Sequence, residues 1–318
     1  MQSTQWVTPL SPSDMNGAPS NVQRALFMTS TDRQAAPVLP ASAAELFADI
    51  ALAAGAVILD IYGGEFDVTL KADASPFTKA DIAAEALILA RLSAAFPAVP
   101  VIAEEAVANG IVPEFAERFI LVDPLDGSRE FIARNGEFTV NIALIEHGVP
   151  IAGAVYAPAL GRIWWGSAAG GAFAASVAEG RIAAPTPITI RPAPSGGLTL
   201  VGSRSHKGGE AETPMTGVVV AQFTPIGSSL KFCLVAEGTA DLYPRFNRTM
   251  EWDTAAGDAI LRAAGGAVVS ADGAPLLYGK CNRSGETDFA NTRFWAVGDR
   301  ALTATLCGDP APPIPDKG

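Results

Sequence analysis

The sequence predicts an α/β protein, and three observations support this fold class. The chain has 318 residues, 49% hydrophobic and 17% charged, which is long enough for two domains or one large one. Residues 138–166 contain successive short apolar runs with glycine-containing turns, a pattern typical of antiparallel strands. Residues 198–297 alternate short apolar runs with helical patterns, which indicates α/β layering in this half.

The first half is predicted to begin with two helices and continue as strands. Ser42 and Glu45 have the spacing of a capping box, and apolar residues then recur at helical intervals, so we predict a helix over 43–61. A second helix is expected at 78–95, before Pro97. Strands are predicted at 100–105, 118–123, 138–145, 149–158 and 161–166.

The stretch "IRPAPSGG" at 190–197 is rich in proline and glycine and is the best domain boundary. It divides an α+β domain at 42–190 from an α/β domain at 191–306, between flexible tails at 1–41 and 307–318. The second domain is predicted to contain strands near 198–203, 217–223, 240–243, 267–270 and 293–297, and helices at 228–237 and 253–264.

Composition argues against several classes of protein. A net charge of −11 disfavours nucleic-acid binding through a broad basic face. Two histidines and three distant cysteines do not suggest a zinc site or a disulfide framework, so we predict a reducing cytoplasm. No apolar run is judged to approach the roughly 20 residues needed to span a bilayer, and residues 1–41 do not resemble a signal peptide. Peripheral attachment at the inner membrane and homodimer formation stay open.

Carboxylates end several apolar runs, where a protein core would not favour them. They are Asp81, the pair Glu104–Glu105, Asp123 with Asp126, and Asp253. Buried carboxylates are costly unless they are paired or bind a metal, and oxygen ligands suit Mg²⁺. Each motif alone is more often a solvated turn or a helix N-cap. Together they favour a metal site, if the fold brings them together.

The stretch "VDPLDGSREFI" at 122–132 has a spacing that suits metal binding. Pro124 has no N–H and favours a turn, so Asp123, the Leu125 carbonyl and Asp126 can face one cluster. Gly127 permits a tight turn, and the N–H groups from Gly127 and Ser128 onward could receive a phosphate.

Longer motifs resemble a known family. "VDPLDGSREFIARNGEFTVNIALI" and "EWDTAAGDAILRAAGG" resemble the signatures of the lithium-sensitive, Mg²⁺-dependent phosphatases of the inositol monophosphatase superfamily. "KADASPFTKAD", "AEE", "SRSH" and "IGSSLKFCLVAEGTADLYPRF" follow the same order and are similar to the CysQ-type branch of 3'(2'),5'-bisphosphate nucleotidases. The resemblance covers about residues 43–300. It implies a layered αβαβα sandwich of the inositol monophosphatase and fructose-1,6-bisphosphatase type.

The resemblance implies a role for each acidic residue. The ligands of two or three Mg²⁺ ions would be Glu104, Asp123, the Leu125 carbonyl, Asp126 and Asp253, with Glu105 in support. Asp81 would pair with the hydroxyl of Ser128 to orient and deprotonate the attacking water, so that Asp81, Glu104 and Ser128 are the expected catalytic residues. The family usually has threonine at this position, and serine lacks the β-methyl group that stiffens the rotamer.

The substrate side is also implied by resemblance. Besides Gly127 and Ser128, its candidates are Ser203, Arg204, His206, Gly227, Ser228, Ser229 and Lys231. Ser228 as an N-cap, Lys231 as a surface charge and His206 as an ordinary loop residue are the open alternatives.

The implied reaction is hydrolysis of the 3'-phosphate of adenosine 3',5'-bisphosphate to AMP and phosphate by a metal-activated water. 3'-Phosphoadenosine 5'-phosphosulfate would be a second substrate, and in relatives this reaction clears a by-product of sulfate assimilation. Inositol-1-phosphatase and fructose-1,6-bisphosphatase activities are the nearest alternatives. A non-catalytic sensor of nucleotide or metal is the alternative of another class.

Overall fold

The computed structural model describes residues 40–70, 76–204 and 217–307. Its first half contains an eight-stranded mixed sheet in the order β10-β8-β7-β6-β5-β4-β3, with β9 paired to β8. The strands are β3 Val101–Ala103, β4 Arg118–Asp126, β5 Thr139–Glu146, β6 Val149–Ala157, β7 Arg162–Ser167, β8 Gly171–Ala178, β9 Arg181–Ile182 and β10 Thr186–Ile188. A separate pair is formed by β1 Val68–Leu70 and β2 Pro76–Thr78. The three strands predicted within 138–166 are confirmed as antiparallel neighbours.

Helices α1 (Pro40–Tyr62) and α2 (Lys79–Ala95) cover one face of the first sheet. In α1 the buried residues Phe47, Ile50, Ala54 and Ile58 recur every three or four positions, which gives one apolar face. The predicted N-cap at Ser42 is wrong, because the helix already begins at Pro40. A proline suits the first helical turn, since its fixed φ is helical and its missing N–H would have no helical partner.

One helix, Ser42–Tyr62, is long and apolar enough to cross a membrane by length and composition. The expectation that no apolar run reaches such a length is therefore wrong for this segment. The apolar face of α1 packs against β5, β6, β7 and α2, so its composition is that of a helix in a protein core.

Two short helices follow β3 and β4. They are α3 (Glu104–Ala108) and α4 (Ser128–Ile132). The sequence placed Glu104 and Glu105 in a strand over 100–105, but β3 ends at Ala103. The apolar run predicted the strand correctly, and the helix was missed because it has only five residues.

Helices α5 (Leu230–Ala236) and α6 (Ala255–Ala263) form the middle layer. Helix α6 packs on the second face of the first sheet, over β6. A Cβ atom at Gly153 would lie 2.8 Å from the carbonyl oxygen of Ala256, and one at Gly257 would lie 2.5 Å from Phe232. Both glycines therefore permit an approach between elements that any side chain would prevent.

The second sheet has five strands in the order β12-β11-β13-β15-β14. They are β11 Leu198–Ser203, β12 Val220–Ile226, β13 Leu242–Arg245, β14 Ala267–Ser270 and β15 Phe294–Val297. Strands β12 and β13 run parallel to β11, and β15 is antiparallel to β13 and β14. Helix α7 (Leu302–Leu306) buries Leu306 in an apolar cluster with Leu198 and Leu242.

The layers run α1 and α2, first sheet, α5 and α6, second sheet, α7, so the predicted αβαβα architecture is confirmed. The sheets lie on either side of residues 190–197 in the chain. The division into two domains stays an interpretation, because one apolar cluster contains both Trp164 of the first sheet and Phe294 of the second. Of the tails predicted at 1–41 and 307–318, residues 1–39 and 308–318 lie outside the described residues.

Candidate active site

Three acidic side chains from distant parts of the chain meet at one edge of the first sheet. One carboxylate oxygen from each of Glu104, Asp123 and Asp253 lies within 4.8 Å of the other two. Strands β3 and β4 are parallel, with Ala103 opposite Val122, so their carboxyl ends place Glu104 beside Asp123. Asp253 reaches the same point from the turn that precedes α6. We call these three residues the acidic cluster.

The turn after Asp123 is held by its own carboxylate. Asp123 Oδ1 accepts a hydrogen bond from the N–H of Leu125 at 2.9 Å, across Pro124. The pairing of β4 with β5 shifts register between Asp123 and Asp126, although the strand continues to Asp126 instead of ending at the proline. This irregularity presents both aspartates at one end of the strand.

Asp126 has a different environment from the acidic cluster. Its Oδ2 atom accepts hydrogen bonds from Ser228 Oγ and from the N–H of Ser229, both at 2.7 Å. Asp126 nevertheless lies near enough to the cluster for its charge to raise the pKa of Asp253. The structure thus brings Asp126 to the site and engages one of its oxygens with the second half of the chain.

Asp253 carries an electrostatic penalty at the site. Burial raises its pKa well above the ordinary value, and the charges of Asp126 and Glu104 raise it further. The N–H of Met250, which donates to Asp253 Oδ2 at 2.8 Å, and the charge of Arg245 oppose this shift only in part. Crowded carboxylates of this kind are relieved by a bound cation or by a proton.

Asp81 is fixed by the start of α2. Its Oδ2 atom accepts from the N–H of Thr78 at 2.7 Å and from Thr78 Oγ1 at 3.0 Å, and Thr78 Oγ1 accepts from the N–H of Ala80. This is a capping box. The motif "TKAD" carries its signature, which sequence reasoning did not use for Thr78.

Ser128 lies between Asp81 and β4. Its Oγ atom is 3.5 Å from Asp81 Oδ1 and 3.5 Å from the carbonyl oxygen of Leu125. Its single proton can serve only one of these acceptors at a time. The preceding Gly127 has φ 93°, and a Cβ there would lie 3.2 Å from the carbonyl oxygen of Glu137. Glycine therefore lets this turn pass close to the next strand.

Glu105 stands behind the acidic cluster. Its side chain is buried, and its N–H donates to Glu85 Oε2 of α2 at 2.9 Å. Glu105 thus ties the start of α3 to α2, next to Glu104. The supporting role that the family resemblance implies for it stays a prediction.

The loop "IGSS" before α5 faces the first sheet. Ser228 adopts a left-handed backbone conformation, with φ 55°, and contacts Thr139 Oγ1 as well as Asp126. Ser229 Oγ lies 2.7 Å from Thr139 Oγ1 and donates to Asn141 Oδ1 at 2.7 Å. Ser229 occupies the N-cap position without a side-chain cap, so the alternative that Ser228 is merely an N-cap is wrong.

Lys231 is buried in the cleft wall. Its Nζ atom donates to the carbonyl oxygens of Ser228 at 2.6 Å and Ile226 at 3.3 Å, and lies 5.2 Å from the ring centroid of Tyr243. The alternative that Lys231 is a surface charge is therefore wrong.

The three candidate residues of "SRSH" separate from one another. Ser203 ends β11 and lines the cleft. The exposed Arg204 forms an ion pair with Glu137, with Nε and one terminal nitrogen each 2.7 Å from a carboxylate oxygen. Arg204 does not appear in the cleft wall of the described chain, and its expected substrate contact stays untested. His206 lies outside the described residues.

The cleft between the sheets has a volume of about 340 Å³ and combines both signs of charge. Glu104, Asp126 and Asp253 line one part of it. Sequence reasoning missed three basic residues in its wall, Arg129, Arg245 and Arg248. The last two belong to "YPRFNR", at and just after the end of β13, and two arginines beside the acidic "EWD" motif were an available signal.

Arg248, like Arg129, is exposed in the cleft wall. Its guanidinium is exposed, and it contacts Met250 Sδ at 3.8 Å. Within residues 40–70, 76–204 and 217–307, no carboxylate forms an ion pair with it. A second anionic group of a ligand would find an uncommitted donor here.

The profile of the Inositol monophosphatase family matches residues 41–306.

The chain belongs to the inositol monophosphatase family.

Within this family, the chain is 48% identical over 227 residues to the 3'(2'),5'-bisphosphate nucleotidase CysQ of Escherichia coli K12. This match covers 71% of the chain and 89% of that protein. The CysQ of Salmonella typhimurium is 45% identical over 74% of the chain and 93% of its own length.

Solved structures of family members share the fold. The crystal structure of CysQ from Bacteroides thetaiotaomicron matches with a TM-score of 0.65 at 38% identity, over 82% of this chain and 98% of that one. Inositol monophosphatase from Anabaena matches with a TM-score of 0.64 at 26% identity, over 86% and 97%. The two TM-scores are nearly equal, so the fold alone does not separate the two activities.

Proposed function

We propose that this chain is a Mg²⁺-dependent phosphatase that hydrolyses the 3'-phosphate of adenosine 3',5'-bisphosphate to AMP and phosphate. The observation that carries the proposal is the 48% identity to a 3'(2'),5'-bisphosphate nucleotidase over 89% of that protein's length. The acidic cluster beside a cleft with four cations gives this activity a physical basis, because phosphoryl transfer needs charge stabilisation at both ends of the bond.

The site fits a divalent cation by its donor set. The three clustered atoms are carboxylate oxygens, which are ligands that Mg²⁺ prefers. Burial and the charges of Asp126 and Glu104 raise the pKa of Asp253, and a bound cation would relieve this penalty. We assign the binding of two or three Mg²⁺ ions to Glu104, Asp123, the Leu125 carbonyl, Asp126 and Asp253. When bound, Mg²⁺ supplies Lewis acidity and lowers the pKa of water.

Within this site, Ser128 and Asp81 handle the proton of the attacking water. Ser128 Oγ donates its hydrogen to Asp81 Oδ1 and accepts a hydrogen bond from the water with its lone pair. The water oxygen attacks phosphorus in line with the ribose 3'-oxygen, its proton passes through Ser128 Oγ to Asp81, and the P–O3' bond breaks. The ribose oxygen takes up a proton from solvent, and no phosphoenzyme forms.

Basic residues supply the second recognition element. An adenosine bisphosphate carries a phosphate that is not cleaved, and Arg129, Arg245 and Arg248 line the cleft together with Lys231. We assign this phosphate to Arg248, which like Arg129 is exposed and forms no ion pair in the described chain, and which lies near Asp253 in the sequence. Ser203, Gly227, Ser228 and Ser229 are the predicted contacts of the ribose side. 3'-Phosphoadenosine 5'-phosphosulfate fits the same pattern of charges and is the second predicted substrate.

A comparison of three substrates tests the proposal. Phosphate release is measured with adenosine 3',5'-bisphosphate, inositol-1-phosphate and fructose-1,6-bisphosphate at saturating Mg²⁺, and we expect kcat/KM to be highest for the adenosine bisphosphate. A preference for inositol-1-phosphate would assign the chain to the other activity with the same fold. No phosphate release from any of the three would leave a non-catalytic sensor.

The remaining parts of the proposal concern the cell. We place the enzyme in the cytoplasm, where it would remove the bisphosphate by-product of sulfate assimilation. Lithium inhibition follows from the family resemblance and is measured in the same phosphate-release assay.

A further inference from the structure

An ion pair joins the first half of the chain to the second. Glu137 lies in the connection between α4 and β5, and Arg204 follows the last residue of β11. The pair is bidentate, with Arg204 Nε on Glu137 Oε2 and a terminal nitrogen on Glu137 Oε1, both at 2.7 Å. Two residues 67 positions apart thus connect the end of β11 in the second sheet to the segment before β5 in the first.

Both partners also hold the segment that runs from the end of β12 toward α5. Glu137 Oε2 accepts a second hydrogen bond, from the N–H of Gly227 at 2.8 Å. Arg204 donates with a terminal nitrogen to the carbonyl oxygen of Pro225 at 2.7 Å. The pair therefore binds residues 225–227 through two backbone groups, the carbonyl oxygen of Pro225 and the N–H of Gly227.

The residues that follow this held segment orient Asp126. Directly after Gly227, Ser228 adopts its left-handed conformation, and Ser228 Oγ and the N–H of Ser229 both donate to Asp126 Oδ2. A non-glycine residue with positive φ is held there only if its surroundings stabilise it. Charge-assisted bonds from Arg204 and Glu137 fix Pro225 and Gly227, the residues just before Ser228.

Close packing leaves Gly227 little freedom to move. Gly227 is buried, and a Cβ atom on it would lie 2.6 Å from Glu130 Cγ and 2.8 Å from the carbonyl oxygen of Glu137. Gly227 thus packs directly against the backbone of Glu137. A displacement of the Glu137 carboxylate would therefore change the position of Gly227.

We propose that Glu137 and Arg204 are positioning residues, which clamp the end of β12 and the loop after it, residues 225–229, so that Ser228 and Ser229 fix the Asp126 carboxylate at the active site. This assigns Arg204 a role in orienting the site in place of the substrate contact expected from its motif. The consequence for catalysis depends on the proposed phosphatase function, whereas the clamp itself is a property of the folded chain.

The test compares this ion pair with a matched one elsewhere. Arg162 and Glu237 form a pair at 3.0 Å with side-chain exposures of 44% and 11%, against 44% and 15% for Arg204 and Glu137. Glu237 also accepts a further hydrogen bond, from Trp164 Nε1, and Arg162 and Glu237 do not line the cleft. Arg162→Ala therefore removes a similar pair without touching the loop.

Hydrogen exchange of the full chain without metal measures the clamp. In Arg204→Ala and Glu137→Gln we expect the amides of Gly227 and Ser229 to exchange about tenfold faster than in the wild type, while Arg162→Ala leaves them unchanged. Arg204→Lys keeps the charge but not the bidentate geometry, and should give an intermediate rate. Unchanged exchange at both amides in Arg204→Ala would overturn the proposal, as would an equal increase in Arg162→Ala.

Kinetics then link the clamp to catalysis. With adenosine 3',5'-bisphosphate, Arg204→Ala should require about five- to tenfold more Mg²⁺ for half-maximal activity, with a smaller change in substrate KM, because Asp126 is affected and the substrate is not contacted. A rise in substrate KM alone would overturn the positioning role and return Arg204 to the substrate side. If the wild type released no phosphate, the proposed function would fail, and hydrogen exchange would still decide whether the clamp exists.

Discussion

Asp126 Oδ2 accepts a hydrogen bond of 2.7 Å from Ser228 Oγ, a residue 102 positions further along the chain. This contact connects the end of β4 in the first sheet to the loop that begins α5. The acidic residue that the sequence grouped with Asp123 is therefore oriented from the other half of the chain. The active site depends on both sheets even for a single carboxylate.

Removal of the carboxylate charge at Asp253 should abolish phosphate release without weakening the metal-free fold. The folded-state pKa of Asp253 is raised, so its charged form is penalised at neutral pH, and stability rises as the pH falls from that raised value toward 3.8. In Asp253→Asn this penalty is absent, and we expect a melting temperature at pH 7 equal to or above that of the wild type in chelator.

Asp60→Asn is the control for that variant, because Asp60 is an exposed acid on α1. It should change neither activity nor the response of the melting temperature to Mg²⁺. A melting temperature of metal-free Asp253→Asn well below the wild type would show that this carboxylate stabilises the fold, contrary to the expectation.

The hydroxyl of Ser128 should matter for turnover and little for substrate binding. In Ser128→Ala the proton path to Asp81 is lost, and we expect kcat to fall about 100-fold with a small change in KM. Ser128→Thr restores the hydroxyl with a stiffer rotamer and should retain or increase kcat. Steady-state phosphate release decides this, and an Ala variant with wild-type kcat would remove Ser128 from the mechanism.

Arg248 should discriminate between substrates with one and two phosphates. Its guanidinium is exposed in the cleft, so Arg248→Ala should raise KM for adenosine 3',5'-bisphosphate about tenfold and leave KM for 3'-AMP nearly unchanged. The matched control is Arg181→Ala, an exposed arginine of β9 outside the cleft. Equal increases of KM for both substrates would contradict the assignment of the second phosphate to Arg248.

Gly227 should not tolerate a side chain. Because a Cβ there would lie 2.6 Å from Glu130 Cγ, Gly227→Ala should lower the free energy of unfolding by about 1–3 kcal/mol and reduce activity. A Cβ atom at Gly196 would have no heavy atom within 4 Å, and its φ is not positive, so Gly196→Ala should be neutral or slightly stabilising. Urea unfolding of both variants measures the difference, and equal stabilities would show that the loop at Gly227 can move aside.

Much of the fold followed from local patterns. Strands β4 to β7 and helices α2 and α6 lie within a few residues of their predicted bounds. The spacing of their apolar residues already indicates which face of each element is buried. The short helix α3 was missed, and α1 began before its apparent cap, because five-residue helices and helix ends depend on neighbouring elements.

The sequence by itself determined the family, the αβαβα layers and the identity of the acidic residues, since these depend on residue types in a fixed order. Only the tertiary structure decided that Glu104, Asp123 and Asp253 meet, that Asp126 turns one oxygen toward Ser228 and Ser229, and that Lys231 is buried. It also showed that Arg204, which the motif had placed on the substrate, pairs with Glu137. The physical reason is that distances between side chains far apart in the chain are set by how the sheets and helices pack, and no local pattern encodes that packing.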